Sequence, residues 1–362
     1  MPIFYALGLL LLALLVLPGR ASANHLSAPD DPVASHSRNL AFGEVEKIRA
    51  ALAFLQNRGK TDVAAALIVA LRYRTGMDTE IADVLTALTG HEAANWAEWL
   101  EWQQDHPEID YHPSFLDIKR DSLARIDPRY LVFFRNGWDQ PEDMRIRLEE
   151  IVWGGPPAMD GIPALNHPKM IAAKDAGYMA EDDLVFGIQI NGDTRAYPLR
   201  IMGWHEMFND VIGGVPVALA YCTLCGSGIL YETKLPGRAK HIVFGSSGML
   251  YRSNKLMFDW GSFSLWNQFT GEPVVGPLAK SGLRLKTRPT VVMTWKDWRQ
   301  RHPDTRILSL DTGYKRDYGS GVVYKDYFAS PELMFPVSVR TKKNFRKKDY
   351  IFGIRDLGLA KA

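Results

Sequence analysis

Between Arg38 and His106 the chain repeats one scheme, in which apolar residues recur at helical spacing and the run then stops. EVEKIRAALAFLQNRG (44–59), DVAAALIVALRYRTG (62–76) and TEIADVLTALTG (79–90) each close on glycine, and AANWAEWLEWQQDHP (93–107) closes on His-Pro. Apolar positions three and four apart share one side of a helix, and a glycine just past the last of them supplies a left-handed cap. The spacing predicts short amphipathic helices over 38–106, consistent with a helical repeat. Trp96, Trp99 and Trp102 stand three apart, which predicts a stripe in the core of that region.

Further along, the period changes from helical to two. Residues 107–144 read as a connecting segment with several prolines, and 145–362 as a β-rich domain. DDLVFGIQINGDTRAYPL (182–199) alternates apolar and polar residues across an Asn-Gly-Asp turn, and VPVALAY, GILYET, HIVFGSSG, VVMTW and TRILSL continue the strand pattern. TWKDWRQRHP is a short helix within it. The fold class expected is therefore α+β, with an α-helical N-terminal region followed by a mainly-β domain. DLVFGIQINGDTRA (183–196) and DYIFGIRDLGLAKA (349–362) share Asp, Phe-Gly-Ile, Gly, a basic residue and Ala at equal spacing, which suggests an internal duplication of a β-hairpin. The second copy stops where the first runs on into YPLRIMGWHE, so a C-terminal truncation is also expected.

At the start, FYALGLLLLALLVLP (4–18) is apolar but short for a bilayer span, and Ala-Ser-Ala follows at 21–23. That pattern predicts a signal peptide over 1–23, cleaved after Ala23. The segment before the apolar run carries no Lys or Arg, which keeps an uncleaved anchor as the alternative. The expected location is the periplasm or the extracellular space, with no stable membrane insertion after cleavage. Residues 24–37, NHLSAPDDPVASHS, read as a linker.

Composition adds little to this picture. With 46% hydrophobic and 23% charged residues and a net charge of +2, the chain matches ordinary globular proteins and indicates no nucleic-acid partner. RTKKNFRKKDY reads as a solvated edge. No phosphate-binding glycine loop is present, so no nucleotide cofactor is expected. The helical region is the place where a periplasmic protein partner is expected.

Chemistry concentrates around the only two cysteines, Cys222 and Cys225, in VPVALAYCTLCGSGILYE (215–232). In an oxidising compartment an exposed pair closes into a disulfide unless a metal or a reductant holds it open. A Cys-x-x-Cys between two strands has the shape of a metal knuckle, whereas thiol–disulfide enzymes usually set the pair at a helix start. Haem attachment is disfavoured, because Gly226 occupies the position of the required His. For a metal site the remaining ligand is sought in GWHEMFND (203–210). His205 is the candidate third ligand, with Glu206 or Asp210 holding its imidazole, and copper or zinc is the expected ion. A lone His is equally well read as a hydrogen-bonded structural imidazole. Downstream, Ser247, Asp259, Trp266 and Gln268 are candidate pocket groups, since polar groups among apolar neighbours need partners or a wet cavity. Met249 and Met257 are read as core.

In order, DGIPAL, RAYPL, WHEMFND, YCTLCGSG, FGSSGMLY, MFDWGSFSLWNQFTGEPVVGPL and TWKDWRQRHPDTRILSLDTGYKRDY resemble the bacterial family called domain of unknown function 3179. The resemblance covers about residues 145–330. It implies that these polar motifs recur as a set, with Cys222, Cys225, His205, Glu206, Asp259, Trp266 and Gln268 among them, and it implies no reaction. Thr223 departs from a family proline and Trp260 from a common arginine. Three readings stay open: an exported protein with a Cys2His-type metal site for metal handling or redox chemistry, a periplasmic thiol–disulfide oxidoreductase, and a protein-binding module with structural cysteines.

Overall fold

A computed structural model describes residues 30–74, 76–138, 143–338 and 346–349. Its helical part comprises α1 (Pro32–Phe42), α2 (Val45–Arg58), α3 (Ala64–Tyr73), α4 (Asp78–Thr89), α5 (Trp96–Asp105), α6 (Ser114–Ile126) and the short α7 (Leu131–Phe133). Gly59 and Gly90 end α2 and α4 in the left-handed conformation, as their place after the apolar period requires, whereas α3 ends at Tyr73 with Arg74 as its cap, short of Gly76. Trp99 and Trp102 are buried in the core of α1–α5, with Trp96 packed against it.

The helical part is longer at both ends than the apolar period indicates. Helix α1 starts at Pro32, inside the segment 24–37 read as linker. Asp31 caps it by accepting from the Val33 N–H at 2.9 Å. Its inward face is inconspicuous because it includes Ser37, whose hydroxyl accepts a hydrogen bond from Ser114 at 3.1 Å. Helix α6 lies inside the connecting segment 107–144. Its buried face mixes Phe115, Leu116, Ile118 and Leu123 with Asp117 and Lys119. Those charges blur the apolar period.

The β part contains β1 (Ile151–Trp153), β2 (Leu165–Asn166), β3 (Met170–Ala172), β4 (Leu184–Ile190) and β5 (Asp193–Pro198), then α8 (Leu199–His205). Next come β6 (Met207–Ile212), β7 (Val215–Cys222), β8 (Ser227–Glu232), β9 (Phe244–Tyr251), β10 (Asn254–Asp259), β11 (Leu265–Asn267) and β12 (Pro273–Val275). The rest are β13 (Lys286–Arg288), β14 (Val291–Thr294), α9 (Trp295–Arg301), β15 (Arg306–Leu308) and α10 (Lys325–Ala329). Three five-stranded sheets result, ordered β1-β9-β10-β11-β12, β13-β8-β7-β6-β2 and β14-β4-β5-β15-β3. Pairing is antiparallel except β2 with β6 and β5 with β15.

The second sheet is the middle layer. Along β7, Val217, Leu219 and Tyr221 join the core shared with Phe186, Ile188 and Tyr197 of the third sheet. Ala218 and Ala220 join the core shared with Phe244, Met257 and Trp266 of the first. Period-two alternation therefore buries β7 on both faces, which is why VPVALAY is apolar at nearly every position. Helices α6 and α7 pack on the first sheet, where Phe115, Leu123 and Phe133 share a core with Phe258 and Leu265. The helical and β parts are thus joined by a common core. The hairpin β4–β5 forms across Asn191 and Gly192, both with positive φ. Its proposed copy over 349–362 lies almost wholly outside the described residues, as does the segment 1–23.

Candidate functional site

Strands β7 and β8 carry the cysteines at the end of the middle sheet. Cys222 pairs with Ser227 in the last register step, and Thr223, Leu224, Cys225 and Gly226 make the connection. The Cys225 N–H donates to the Cys222 carbonyl at 3.2 Å, and Gly226 takes φ +61°. A residue with a Cβ would be strained there, which accounts for the glycine after the pair. Within this turn Cys222 and Cys225 form a disulfide, with Cα atoms 5.2 Å apart. The two sulfurs are not equivalent. Cys222 continues the inward parity of Ala218 and Ala220 and is 4% exposed, whereas Cys225, beyond the turn, is exposed.

Around the exposed sulfur sits a short chain of amides. Asn254, at the start of β10, donates from Nδ2 to the Cys225 Sγ at 3.3 Å and to Gln268 Oε1 at 3.0 Å. Gln268 donates from Nε2 to the carbonyls of Ala220 and Ser227, each at 2.8 Å. A cleft of about 370 Å³ opens beside Cys225, lined by Leu224, Ser253, Tyr327, Phe328 and Phe335 among others. The Tyr327 hydroxyl donates to the Leu224 carbonyl at 3.0 Å and ties α10 to the loop. Thr223 Oγ1, Ser227 Oγ and Asn254 Oδ1 are buried without a hydrogen-bond partner. Unsatisfied buried polar atoms are rare in folded proteins and each calls for an explanation; others lie away from this loop, at Trp99 and Trp138 among them.

The other candidates occupy different places. His205 ends α8, fully buried, with Nδ1 2.8 Å from the Pro163 carbonyl and Nε2 2.6 Å from the Tyr318 hydroxyl. A carbonyl only accepts, so Nδ1 bears the proton and Nε2 accepts from Tyr318. Burial pushes this imidazole below its ordinary pKa and favours the neutral form. Both ring nitrogens are engaged and both sulfurs are bonded to each other, so the expected ligand set of Cys222, Cys225 and His205 is not assembled. Among the described residues no group of three or more His, Cys, Asp or Glu is arranged to hold a metal ion.

Nor do Glu206 and Asp210 orient His205. Glu206 turns the chain out of α8 with φ +53° and accepts from Lys255 Nζ at 2.9 Å. Asp210 accepts from Arg195 Nη1 at 2.5 Å and from the Tyr197 hydroxyl at 2.8 Å. Ser247 donates to the Leu256 carbonyl at 2.6 Å. Asp259 accepts from Trp266 Nε1 at 2.9 Å, from the Ser262 hydroxyl at 2.6 Å and from the Gly261 N–H at 3.0 Å. That turn closes on itself. Of the expected pocket groups, the hydrogen bonds tie Gln268 to the cysteine loop and give the others partners of their own. Met249 and Met257 are core residues.

Sequence reasoning missed Asn254, a polar residue in a Ser-Asn-Lys turn with no motif to mark it. Its position follows from the β9–β10 hairpin, in which it pairs with Tyr251.

Residues 159–362 match the family described as protein of unknown function (DUF3179), and the chain belongs to that family. No curated protein and no solved structure matches it.

Proposed function

We propose that the β7–β8 loop is a thiol–disulfide exchange site. The observation that carries this reading is the asymmetry of the Cys222–Cys225 pair, one sulfur exposed in a cleft and its partner buried. Exchange needs one sulfur open to in-line attack and a second held ready to leave or return. A substrate thiolate attacks the Cys225 sulfur, the Cys222–Cys225 bond breaks, and Cys222 leaves as a thiolate that takes up a proton. The second thiolate of the substrate then attacks its own sulfur in the mixed disulfide and expels Cys225. The substrate dithiol is oxidised to a disulfide, and the protein pair takes up two electrons and two protons. A purely structural bond would contribute less here than one closing a longer loop, because the entropy removed from the unfolded chain falls as the loop shortens.

The test is to mix the oxidised protein with an excess of a reduced peptide dithiol, trap thiols with a maleimide, and count them by mass. Two protein thiols should appear in step with the peptide disulfide. A pair that stays closed in excess dithiol would refute exchange. Protein isolated with copper or zinc bound by both thiols, the bond being open, would favour the metal-site reading, with ligands other than His205.

A further inference from the structure

We propose that Asn254 is a catalytic hydrogen-bond donor to Cys225, stabilising its thiolate, and that Gln268 is the positioning residue that fixes the direction of the Asn254 amide. This rests on the exchange reading of the loop. The Cys-x-x-Cys lies in a hairpin connection, not at a helix start, so no helix dipole is aimed at the sulfurs to lower a thiol pKa. The side-chain donor at the reacting atom is Asn254 Nδ2, 3.3 Å from Sγ, closer than the Ser253 carbonyl oxygen at 3.6 Å, which can only accept.

The direction of that amide follows from its surroundings. An asparagine presents a donor or an acceptor depending on which way its amide is turned. Gln268 faces two backbone carbonyls, Ala220 and Ser227, each 2.8 Å from its Nε2. Carbonyls accept only, so the NH2 end of Gln268 must face them and its Oε1 must face away. That oxygen lies 3.0 Å from Asn254 and requires a donor. The Asn254 NH2 is therefore turned toward Gln268 and, with its second hydrogen, toward Cys225. The other atom of the amide, Oδ1, is left buried and unpartnered. Leaving a buried acceptor unsatisfied is costly, and the geometry accepts that cost while presenting N–H to sulfur.

A hydrogen bond to the charged form lowers an acid's pKa. In the exchange sequence Cys225 is the last group expelled, and a donor that stabilises its thiolate speeds that departure. The other charged groups lining the cleft make their hydrogen bonds away from Cys225, although Lys348 donates to neutral carbonyls and so keeps its full positive charge. Lys348 Nζ donates to the Ser330 carbonyl at 2.6 Å, Lys347 pairs with Glu332 at 2.5 Å, and Asp349 accepts from Arg346 at 2.8 Å. Tyr327, raised above its ordinary pKa by burial, stays neutral. Lys255, next in the chain to Asn254, is paired with Glu206.

The experiment follows the alkylation rate of Cys225 in the reduced protein against pH, with iodoacetamide and peptide mass mapping, in wild type, Asn254→Ala, Asn254→Asp and Gln268→Met. Asn254→Ala should raise the midpoint by about one pH unit, and Asn254→Asp by more, since a carboxylate repels the thiolate as well as removing the donor. Gln268→Met should give a smaller rise, because Asn254 remains but is free to turn. The midpoint is the readout, because the intrinsic nucleophilicity of a thiolate rises with its pKa and blunts any comparison at one pH. An Asn254→Ala profile that superimposes on wild type, in protein with a native circular dichroism spectrum, would overturn the inference. The titration is independent of turnover. A shifted midpoint in a protein that fails to oxidise a peptide dithiol would therefore remove the exchange reading and leave the Asn254 donor standing.

Discussion

Replacing either cysteine by serine separates a reactive pair from a structural one, because the two roles differ in both stability and exposure. The disulfide closes a loop spanning a sequence separation of three residues. In the chain-entropy treatment, a ring of about four residues removes about 6 cal/mol/K from the unfolded chain, or about 2 kcal/mol at 25 °C, against about 3 for a fifteen-residue loop. Cys222→Ser should therefore unfold at a lower denaturant concentration than the oxidised wild type by an amount equal to about 2 kcal/mol, and nearly together with the dithiothreitol-treated wild type. The comparison is made on midpoints at constant m, since a chain of 362 residues need not unfold in one step. Reactivity should split in the opposite sense. Cys222→Ser leaves the exposed Cys225, and Cys225→Ser leaves Cys222 at 4% exposure. Under native conditions the first should alkylate at least about ten times faster, and in guanidinium the two rates should converge. A stability loss well above 3 kcal/mol, or equal native rates, would refute the reasoning and make the bond a staple.

Two further outcomes follow from residues away from the loop. Lys119 is buried with its Nζ donating to the Leu148 carbonyl at 2.6 Å, and burial pushes its pKa down to about 7. The unfolded chain titrates near 10.4, so it binds more protons than the folded protein between those values. Stability should rise with pH across that window, gaining on the order of 2 kcal/mol from pH 7 to 9 relative to Lys119→Met. Parallel stability curves for the two proteins would disprove this. At Gly187 in β4, an added methyl would overlap the Trp298 ring, so Gly187→Ala should cost about 1–3 kcal/mol in chemical denaturation. In the Cys225 titration it should leave the midpoint unmoved, which distinguishes loss of packing from loss of the Asn254 donor.

Much of the architecture was legible because it depends on local periodicity. The glycine-stopped helices, the tryptophan stripe and the β4–β5 hairpin are each set by residues within about fifteen positions of one another. The placements that differ from the sequence reading share another cause, since each depended on direction in space. His205 lies one strand from the cysteines along the chain, but the left-handed Glu206 that follows it ends α8. The imidazole is left against Pro163 and Tyr318, a residue more than a hundred positions away. Trp266 and Asp259 read from the sequence as pocket groups, whereas they hydrogen-bond to each other at 2.9 Å across the β10–β11 connection. Asn254 carried no signal because its contact with Cys225 spans 29 residues and depends on how the first sheet meets the middle one.

Yet the inequality of the two sulfurs was within reach of the sequence. An apolar run such as VPVALAY is buried on both faces, so a cysteine extending it must point into a core on one side or the other. Its parity with Ala218 and Ala220 directs Cys222 toward the first sheet. Three residues later a turn has intervened, marked by Gly226, and nothing in TLCG continues the apolar run. Cys225 therefore belongs to the loop surface. Moving the pair one residue earlier along β7 would reverse the parity, turning the first cysteine toward the core shared with Phe186 and away from Asn254 and Gln268. The chemistry proposed for the loop thus depends on the register of a single strand, and the register is held by apolar burial on both faces of β7.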